Sequence, residues 1–275
     1  MTRPWRLTLP GLGWLTLWFG VPLLLVVAYS VMPAAPYGGV SPGFTLEHYA
    51  RLFDPLYLGI IWRTVVLSLV ATVLSLLIGF PMAYVIARSG RWRRVLLFLV
   101  VLPFWTSFLV RTYAMIFLLR DTGLVNTLLQ SLGIIDAPLT LLYTPGAVLA
   151  GLVYGYLPFA VLPIYASLEK LDPTLLEAAE MLGARPAARF RLVTLPLAMP
   201  GVIAGALLVF IPSLGSFLTP DLLGGAKTTL LGNLVQDQFT SARNWPFGSA
   251  ASMLLLLGTF VAILWQLRHR DEVFE

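Results

Sequence analysis

The stretch LLEAAEMLGARPAARFRLVTLPLAMPG (Leu175–Gly201) lies in a charged island of an otherwise apolar chain. The chain has 275 residues, of which 58% are hydrophobic and 11% are charged, and its mean hydropathy is +0.85. A soluble domain carries about a quarter charged residues, so the composition predicts a polytopic membrane protein. The charged residues of the island are Glu169, Lys170, Asp172, Glu177, Glu180, Arg185, Arg189 and Arg191.

Six apolar runs are long enough to cross the roughly 30 Å of a bilayer's hydrocarbon core as helices. The predicted spans are about 12–31, 61–87, 95–119, 145–168, 194–217 and 247–267, within one transmembrane domain over 1–275. We therefore expect an all-α polytopic bundle of six transmembrane helices, in which 169–193 is a loop between the fourth and fifth spans.

The distribution of Lys and Arg predicts which side of the membrane each loop faces. Twelve of them lie in the end segments and even-numbered loops, and four lie in the odd-numbered loops. This bias predicts that both termini and the charged island are cytoplasmic. The twelve are Arg3, Arg6, Arg88, Arg91, Arg93, Arg94, Lys170, Arg185, Arg189, Arg191, Arg268 and Arg270, and the four are Arg51, Arg120, Lys227 and Arg243.

The first apolar run has a second interpretation, a cleaved signal peptide. Arg3 and Arg6 precede it, and the small-residue stretch Met32-Pro-Ala-Ala follows it. Its apolar length of about 20 residues exceeds the 7–15 of a signal-peptide core, which favours a permanent span. Cleavage would leave five spans and an external N-terminus.

The residue inventory argues against several classes of function. The chain has no Cys, and its two His residues, His48 and His269, lie far apart, so we expect no metal site. The net charge of +5 follows from the loop bias, so we expect no nucleic-acid partner. The segment Gly224–Thr228 lacks the glycine that precedes the lysine of a phosphate loop, and we expect no nucleotide site in this chain.

The island itself contains the signals of a short, capped helix. Asp172 is a good N-cap, Pro173 suits the first helical position, and Gly183 stands where a C′ glycine is expected. A helix of about ten residues is too short to be stable alone, so something must pack against it. We expect one face at Leu175, Ala178, Ala179 and Leu182, and a second short helix that starts at Pro186. Acids and alanines do not suit an interfacial membrane helix, which favours a docking element for a cytoplasmic partner over that alternative and over a solvated loop.

The spans carry small residues at helical spacing. Gly151 and Gly155, and likewise Gly201 and Gly205, form G-x-x-x-G patterns that let helix backbones approach closely. A polar and small stripe recurs along the second span. It consists of Ser68, Thr72, Ser75 and Gly79, and we interpret it as a packing face rather than a substrate contact.

The segment Glu177-Ala178-Ala179, followed by Gly183 and by Leu195-Pro196, resembles the EAA loop of permease subunits of binding-protein-dependent ABC importers. Other stretches resemble permeases of the spermidine/putrescine type, and the likeness covers about 45–267. They are Leu102–Tyr113 (LPFWTSFLVRTY), Tyr156–Asp172 (YLPFAVLPIYASLEKLD), Phe210–Gly225 (FIPSLGSFLTPDLLGG) and Trp245–Gly248 (WPFG). The resemblance implies the type I ABC importer permease fold in a bacterial inner membrane.

The resemblance also implies a division of labour between chains. This chain would be a transport subunit and not an enzyme, with no cofactor of its own, and ATP and Mg would be bound by separate ATPase subunits, two of them. Its other partners would be a second homologous permease, a periplasmic binding protein and membrane lipid. The residues expected to couple the loop to the ATPase are Glu177, Ala178, Ala179, Gly183, Arg185, Arg189 and Arg191.

The implied cargo is a polyamine, although the predicted spans contain no Asp or Glu. Aromatic faces attract cations, so the candidate pathway residues are Trp105, Tyr113, Tyr154 and Tyr156, with Asp221 on the outer side. We interpret Arg111, inside the third span, as a structural or subunit-interface residue. Its charge keeps another cargo open, such as an opine, an amino-acid derivative or an anion. An ion-coupled secondary transporter is disfavoured because the spans lack Asp, Glu and His.

Overall fold

The computed structural model of the protein describes the backbone of residues 5–272 and the side chains of 8–225 and 227–264. Arg3, and the side chains of Arg6, Arg268, His269 and Arg270, which enter the predictions above, lie outside the described residues.

The described chain consists of α-helices joined by loops and by short 3-10 or π turns. The helices are α1 (Trp5–Leu15), α2 (Val21–Ser30), α3 (Glu47–Leu52), α4 (Pro55–Arg88), α5 (Arg93–Val101), α6 (Phe108–Leu119), α7 (Leu124–Ser131), α8 (Pro145–Glu169), α9 (Pro173–Met181), α10 (Pro186–Arg189), α11 (Leu195–Leu214), α12 (Leu231–Thr240) and α13 (Trp245–Glu272). A π turn at Thr16–Gly20 joins α1 to α2 without a break.

Five helical segments of the described chain are long and apolar enough to cross a membrane. They are Thr8–Ser30, Pro55–Arg88, Pro145–Glu169, Pro186–Leu214 and Trp245–Leu264. The helical stretches Gly90–Trp105 and Phe108–Ser131 meet at 93° and make a sixth span if they are counted together. These segments fall at the six predicted positions.

The third span, predicted at about 95–119, is broken into two helical stretches. The chain forms a 3-10 turn at Leu102–Trp105 and is extended at Thr106 and Ser107 before α6 begins. The ring of Pro103 removes a backbone donor, which is a common cause of such breaks. The carbonyl oxygen of Pro103 accepts hydrogen bonds from the backbone N–H and the hydroxyl of Thr106, at 3.2 and 2.7 Å.

The described residues divide into two compact units, the first formed from parts of 5–61 and 231–261. Its core surrounds Phe247, which is fully buried, with the ring of Tyr57 edge-on at 4.9 Å. The guanidinium of Arg51 lies 4.8 Å from the centre of the Phe247 ring. The core residues are Leu52, Tyr57, Leu231, Leu234, Phe247, Ala250 and Ala251.

The second unit, formed from 62–230 and from the described part of 262–275, is built around α8, against which α11 packs along much of its length. A Cβ added at Gly201 would lie 2.4 Å from the carbonyl oxygen of Pro163, and one at Gly205 would lie 3.1 Å from that of Ala160. Gly79 of α4 faces Ala160 in the same way, at 3.2 Å. The predicted packing role of these glycines is confirmed, and so is that of the buried side chains Ser68, Thr72 and Ser75.

Candidate functional site

The charged island begins with α9, which starts as its sequence predicts. The carboxylate of Asp172 accepts a hydrogen bond from the backbone N–H of Thr174 at 2.9 Å, and Pro173 occupies the first helical position. This hydrogen bond favours the ionised carboxylate and holds the pKa of Asp172 below its ordinary value. The start of α9 is therefore fixed by local chemistry.

The end of α9 is equally well defined. Gly183 has a φ of +80°, which favours glycine. Its N–H donates to the carbonyl oxygen of Glu180 at 2.9 Å, and the N–H of Ala184 donates to that of Ala179 at 3.0 Å. This pair of bonds is the Schellman arrangement that closes a helix and turns the chain sharply. Gly183 thus has a structural reason for its position.

The second short helix begins at Pro186, as predicted, and leads directly into the fifth span. α10 continues through a π turn at Phe190–Thr194 into α11, so that Pro186–Leu214 forms one segment of 29 residues. The backbone stays helical through the π turn at Phe190–Thr194, a segment that contains no glycine to end the helix. Arg189 and Arg191 therefore stand at the entrance of the fifth span, which ends at Leu214 rather than at 217.

Some side chains of the charged island have a partner within the loop, and others are exposed. Arg189 forms an ion pair with Glu180, inside the loop. Glu177 and Ala178 are exposed, and Ala179 is half-buried. Leu182 is 88% exposed and Met181 is 90% exposed. Met181 was not among the residues predicted to couple the loop to the ATPase. An acidic residue beside exposed apolar side chains is a surface suited to docking a protein partner.

The island is fastened to the ends of three helices. The Phe190 ring packs edge-on against those of Phe80 and Tyr84 of α4, at 5.5 and 6.2 Å. A guanidinium nitrogen of Arg93, the first residue of α5, lies 2.9 Å from a carboxylate oxygen of Glu169, the last residue of α8. Between these fastenings and α9 lies a cavity of about 590 Å³, whose lining includes Arg88, Leu176, Glu177 and Arg189.

Several aromatic side chains and Arg111 lie close together at the break in the third span. The ring of Phe104 is edge-on to that of Phe159 at 5.1 Å, and Phe108 stacks near Tyr156 at 6.4 Å. The guanidinium carbon of Arg111 lies 5.1 Å from the centre of the Phe104 ring and 5.6 Å from that of Phe108. We call Phe104, Phe108, Tyr156 and Phe159 the aromatic cluster.

The structure separates the aromatic residues predicted to line the pathway. Tyr156 belongs to the aromatic cluster, whereas Tyr154 lines an apolar cavity of about 500 Å³ with Pro81, Leu99 and Pro103. Trp105 is 75% exposed and packs edge-on against Phe98 at 5.7 Å, and Tyr113 is half-exposed on α6. Their roles stay predictions.

Three members of the aromatic cluster, Phe104, Phe108 and Phe159, were missed in the sequence, and only part of the cluster has a spacing signal. Phe108 and Arg111 are three residues apart, the spacing of neighbours on one helix face, whereas Phe104 lies before the break. Tyr156 and Phe159 repeat that interval on α8. Asp221 lies exposed in a π turn at Pro220–Gly224, just after the fifth span.

The chain is similar to membrane components of transport systems. The family model for binding-protein-dependent transport system inner membrane components matches residues 75–270. The spermidine/putrescine transport system permease protein PotB of Haemophilus influenzae is 48% identical over 242 residues, which cover 88% of this chain and 85% of that protein. PotB of Escherichia coli K12 is 43% identical over 257 residues, covering 92% and 94%.

A solved structure shares the fold. A chain in the crystal structure of a bacterial alginate ABC transporter, in complex with an alginate pentasaccharide-bound periplasmic protein, matches with a TM-score of 0.75 at 20% identity. The match covers 98% of this chain and 94% of that one. The all-α permease fold predicted from the sequence is confirmed.

Proposed function

This chain belongs to the family of binding-protein-dependent transport system inner membrane components, and on that premise we propose that it forms the pathway for a polyamine, spermidine or putrescine. The observation that carries the proposal is the identity of 43–48% to the PotB permeases over most of the chain. The cargo would be delivered by a periplasmic binding protein. Both termini and the island would be cytoplasmic, as the Lys and Arg bias predicts.

The charged island is the proposed contact through which movement of the ATPase subunits would reach the permease. α9 would dock in a cleft of an ATPase subunit through Glu177, Ala178, Met181 and Leu182, all of which are exposed. Two such ATPase subunits would bind ATP and Mg, and a second permease would supply a matching loop. The chain thereby contributes motion and a pathway, and it needs no cofactor of its own.

The path from the loop to the membrane runs through packed helices. The loop connects α8 to α11, whose backbones meet at Gly201 and Gly205. The ion pair of Arg93 with Glu169 adds α5, which leads to the break in the third span. A displacement of α9 would therefore move three helices together, because close-packed interiors transmit strain.

The aromatic cluster suits a weakly bound cationic cargo. Each ring face attracts an ammonium group by about 0.5–2 kcal/mol, which is enough to guide a cation without trapping it. Asp221, exposed near the end of the fifth span, would help to receive the cargo. Asp221→Asn is then expected to lower uptake at unchanged membrane abundance.

The test is uptake of radiolabelled spermidine and putrescine by cells that express the complete transporter, with Glu177→Arg beside the wild type. The variant is expected to reach the membrane, to lose the ATPase in pull-downs and to stop uptake. Asp136→Arg, an exposed charge change in the loop between the third and fourth spans, is the control for the pull-down and should retain the ATPase.

Two outcomes would change the proposal in different ways. Uptake of another solute, but of no polyamine, would keep the importer and replace its cargo. Transport that is indifferent to Glu177→Arg would remove that residue from the docking surface.

A further inference from the structure

The guanidinium of Arg111 lies beside two aromatic rings. Its guanidinium carbon lies 5.1 and 5.6 Å from the centres of the Phe104 and Phe108 rings. Its Nε atom is buried and has no hydrogen-bond partner among the described residues. An arginine with a purely structural role inside a bundle usually bonds carboxylates or backbone carbonyls. Among the described residues, the contacts recorded for the guanidinium are therefore these two rings.

The break in the third span brings these rings to one guanidinium. Phe104 lies in the 3-10 turn before the break, whereas Phe108 and Arg111 lie in the first turn of α6 after it. On the other side, Phe159 of α8 is edge-on to Phe104 at 5.1 Å. The site is thus formed by two helical segments of the third span and by α8.

The aromatic cluster also contacts α8 and α11, the helices on either side of the charged island. A Cβ added at Gly155 of α8 would lie 2.9 Å from Cε2 of Phe108, so that the ring rests on the α8 backbone. The Tyr156 hydroxyl is 3.4 Å from the carbonyl oxygen of Pro212 in α11, a long hydrogen bond. A shift of α8 or α11 would change the ring positions around Arg111.

A ring face that holds a guanidinium attracts an ammonium group for the same reason, which is the negative potential of the π face. Two cations on one pair of rings would repel each other strongly in a medium of low dielectric constant. The polyamine and Arg111 therefore compete for the same faces.

We propose that Arg111 is a tethered competitor of the cargo: in the state seen here its guanidinium occupies the ring faces that receive an ammonium group of the polyamine when the pathway opens. This inference rests on the proposed function. It gives the arginine a role in keeping the closed pathway free of cations and in releasing the cargo after transport. Movement of α8 and α11 by the charged loop displaces Arg111 from the rings.

The experiment measures equilibrium binding of radiolabelled spermidine to the purified permease–ATPase complex without the binding protein. Arg111→Met removes the cation and keeps an apolar side chain of similar length, and it is expected to tighten binding at least tenfold. Arg111→Lys retains a cation and should bind as weakly as the wild type. Phe104→Leu, added to Arg111→Met, should reverse the gain. Arg63→Met is the matched control, because Arg63 is an arginine of α4 whose described contact is the backbone oxygen of Lys227; its binding should equal that of the wild type.

The outcomes separate this inference from the proposed function. If the wild-type system imports polyamine and Arg111→Met binds spermidine no more tightly than the wild type, the competitor is refuted and the importer stands. If Arg111→Met loses the second permease during purification while Arg111→Lys keeps it, Arg111 is a subunit contact and the inference fails. If the wild-type system imports no polyamine, the proposed cargo and the inference fall together.

Discussion

Replacing Gly201 by alanine is expected to push α8 and α11 apart. An ideal Cβ at residue 201 would lie 2.4 Å from the carbonyl oxygen of Pro163, 2.6 Å from Oγ of Ser167 and 2.9 Å from Cα of Ile164. Ordinary van der Waals contact begins at about 3.4 Å, so the nearest atom must retreat by about 1 Å. That atom belongs to the backbone of α8, so the helix itself has to move.

Overpacking of this kind typically costs about 1–3 kcal/mol, and each 1.4 kcal/mol is a factor of about ten. The ratio of folded to unfolded protein should therefore fall about five- to 150-fold in Gly201→Ala. In Gly205→Ala the closest atom, the carbonyl oxygen of Ala160, is 3.1 Å away, and the loss should lie near the lower end. Gly258 of α13 has no atom within 4 Å of an added Cβ. Alanine there should be neutral or stabilising by up to about 1 kcal/mol, because glycine weakens a helix interior.

The assay is the thermal midpoint of the purified complex in detergent, together with the ratio of uptake to ATP hydrolysis. The midpoint should be highest in Gly258→Ala, lower in Gly205→Ala and lowest in Gly201→Ala. The ratio should fall in the same order, because the two helices carry the charged loop between them. Equal midpoints for Gly201→Ala and Gly258→Ala would show that the backbones of α8 and α11 are not in contact, and the proposed path from the loop would lose its basis.

Three further predictions concern the charged island. Gly183→Val should cost about 1–2 kcal/mol, because residue 183 has a φ of +80°; co-purification of the ATPase should fall, and it should fall less in Gly183→Asn. The pKa of Asp172 is lowered in the folded chain, so its support of α9 is present above the unfolded pKa and is lost as the pH falls through the folded value, below about pH 4. The protection factor of the Thr174 amide, which corrects the exchange rate for the intrinsic slowing of exchange in acid, should fall there, and Asp172→Asn should remove that pH dependence. Glu169→Arg should lower the ratio of uptake to ATP hydrolysis, and adding Arg93→Glu should restore it; since this ion pair is two-fifths exposed, its effect on stability should stay below about 1 kcal/mol.

The helix α9 could be predicted closely because its signals are local. Asp172 needs only the N–H of Thr174, and Gly183 needs only the carbonyl oxygen of Glu180, both within three positions. The same holds for the six apolar runs, since length and hydropathy decide whether a helix can span a bilayer. The likeness to binding-protein-dependent permeases, inferred from the EAA-like segment, is confirmed by the family model over residues 75–270.

The break in the third span and the surroundings of Arg111 could not be predicted in the same way. Pro103 indicates a kink, but the extended backbone at Thr106 and Ser107 has no sequence signal of its own. The π turn at Phe190–Thr194, through which α10 continues into α11, likewise has no sequence signal of its own. In each case the outcome depends on packing against α4 or α8, and so on residues distant in the sequence.

The absence of Asp and Glu from the predicted spans of this chain places particular demands on the remaining groups. A buried acid would hold a polyamine by a strong charge interaction and would slow its release, whereas rings hold it weakly and can be rearranged by small helix shifts. Tyr156 and Phe159 stand on α8, and Phe104 and Arg111 stand on the two halves of the third span. A relative movement of these segments would change which cation faces the rings, so the affinity of the pathway could follow the state of the ATPase without any residue changing its protonation.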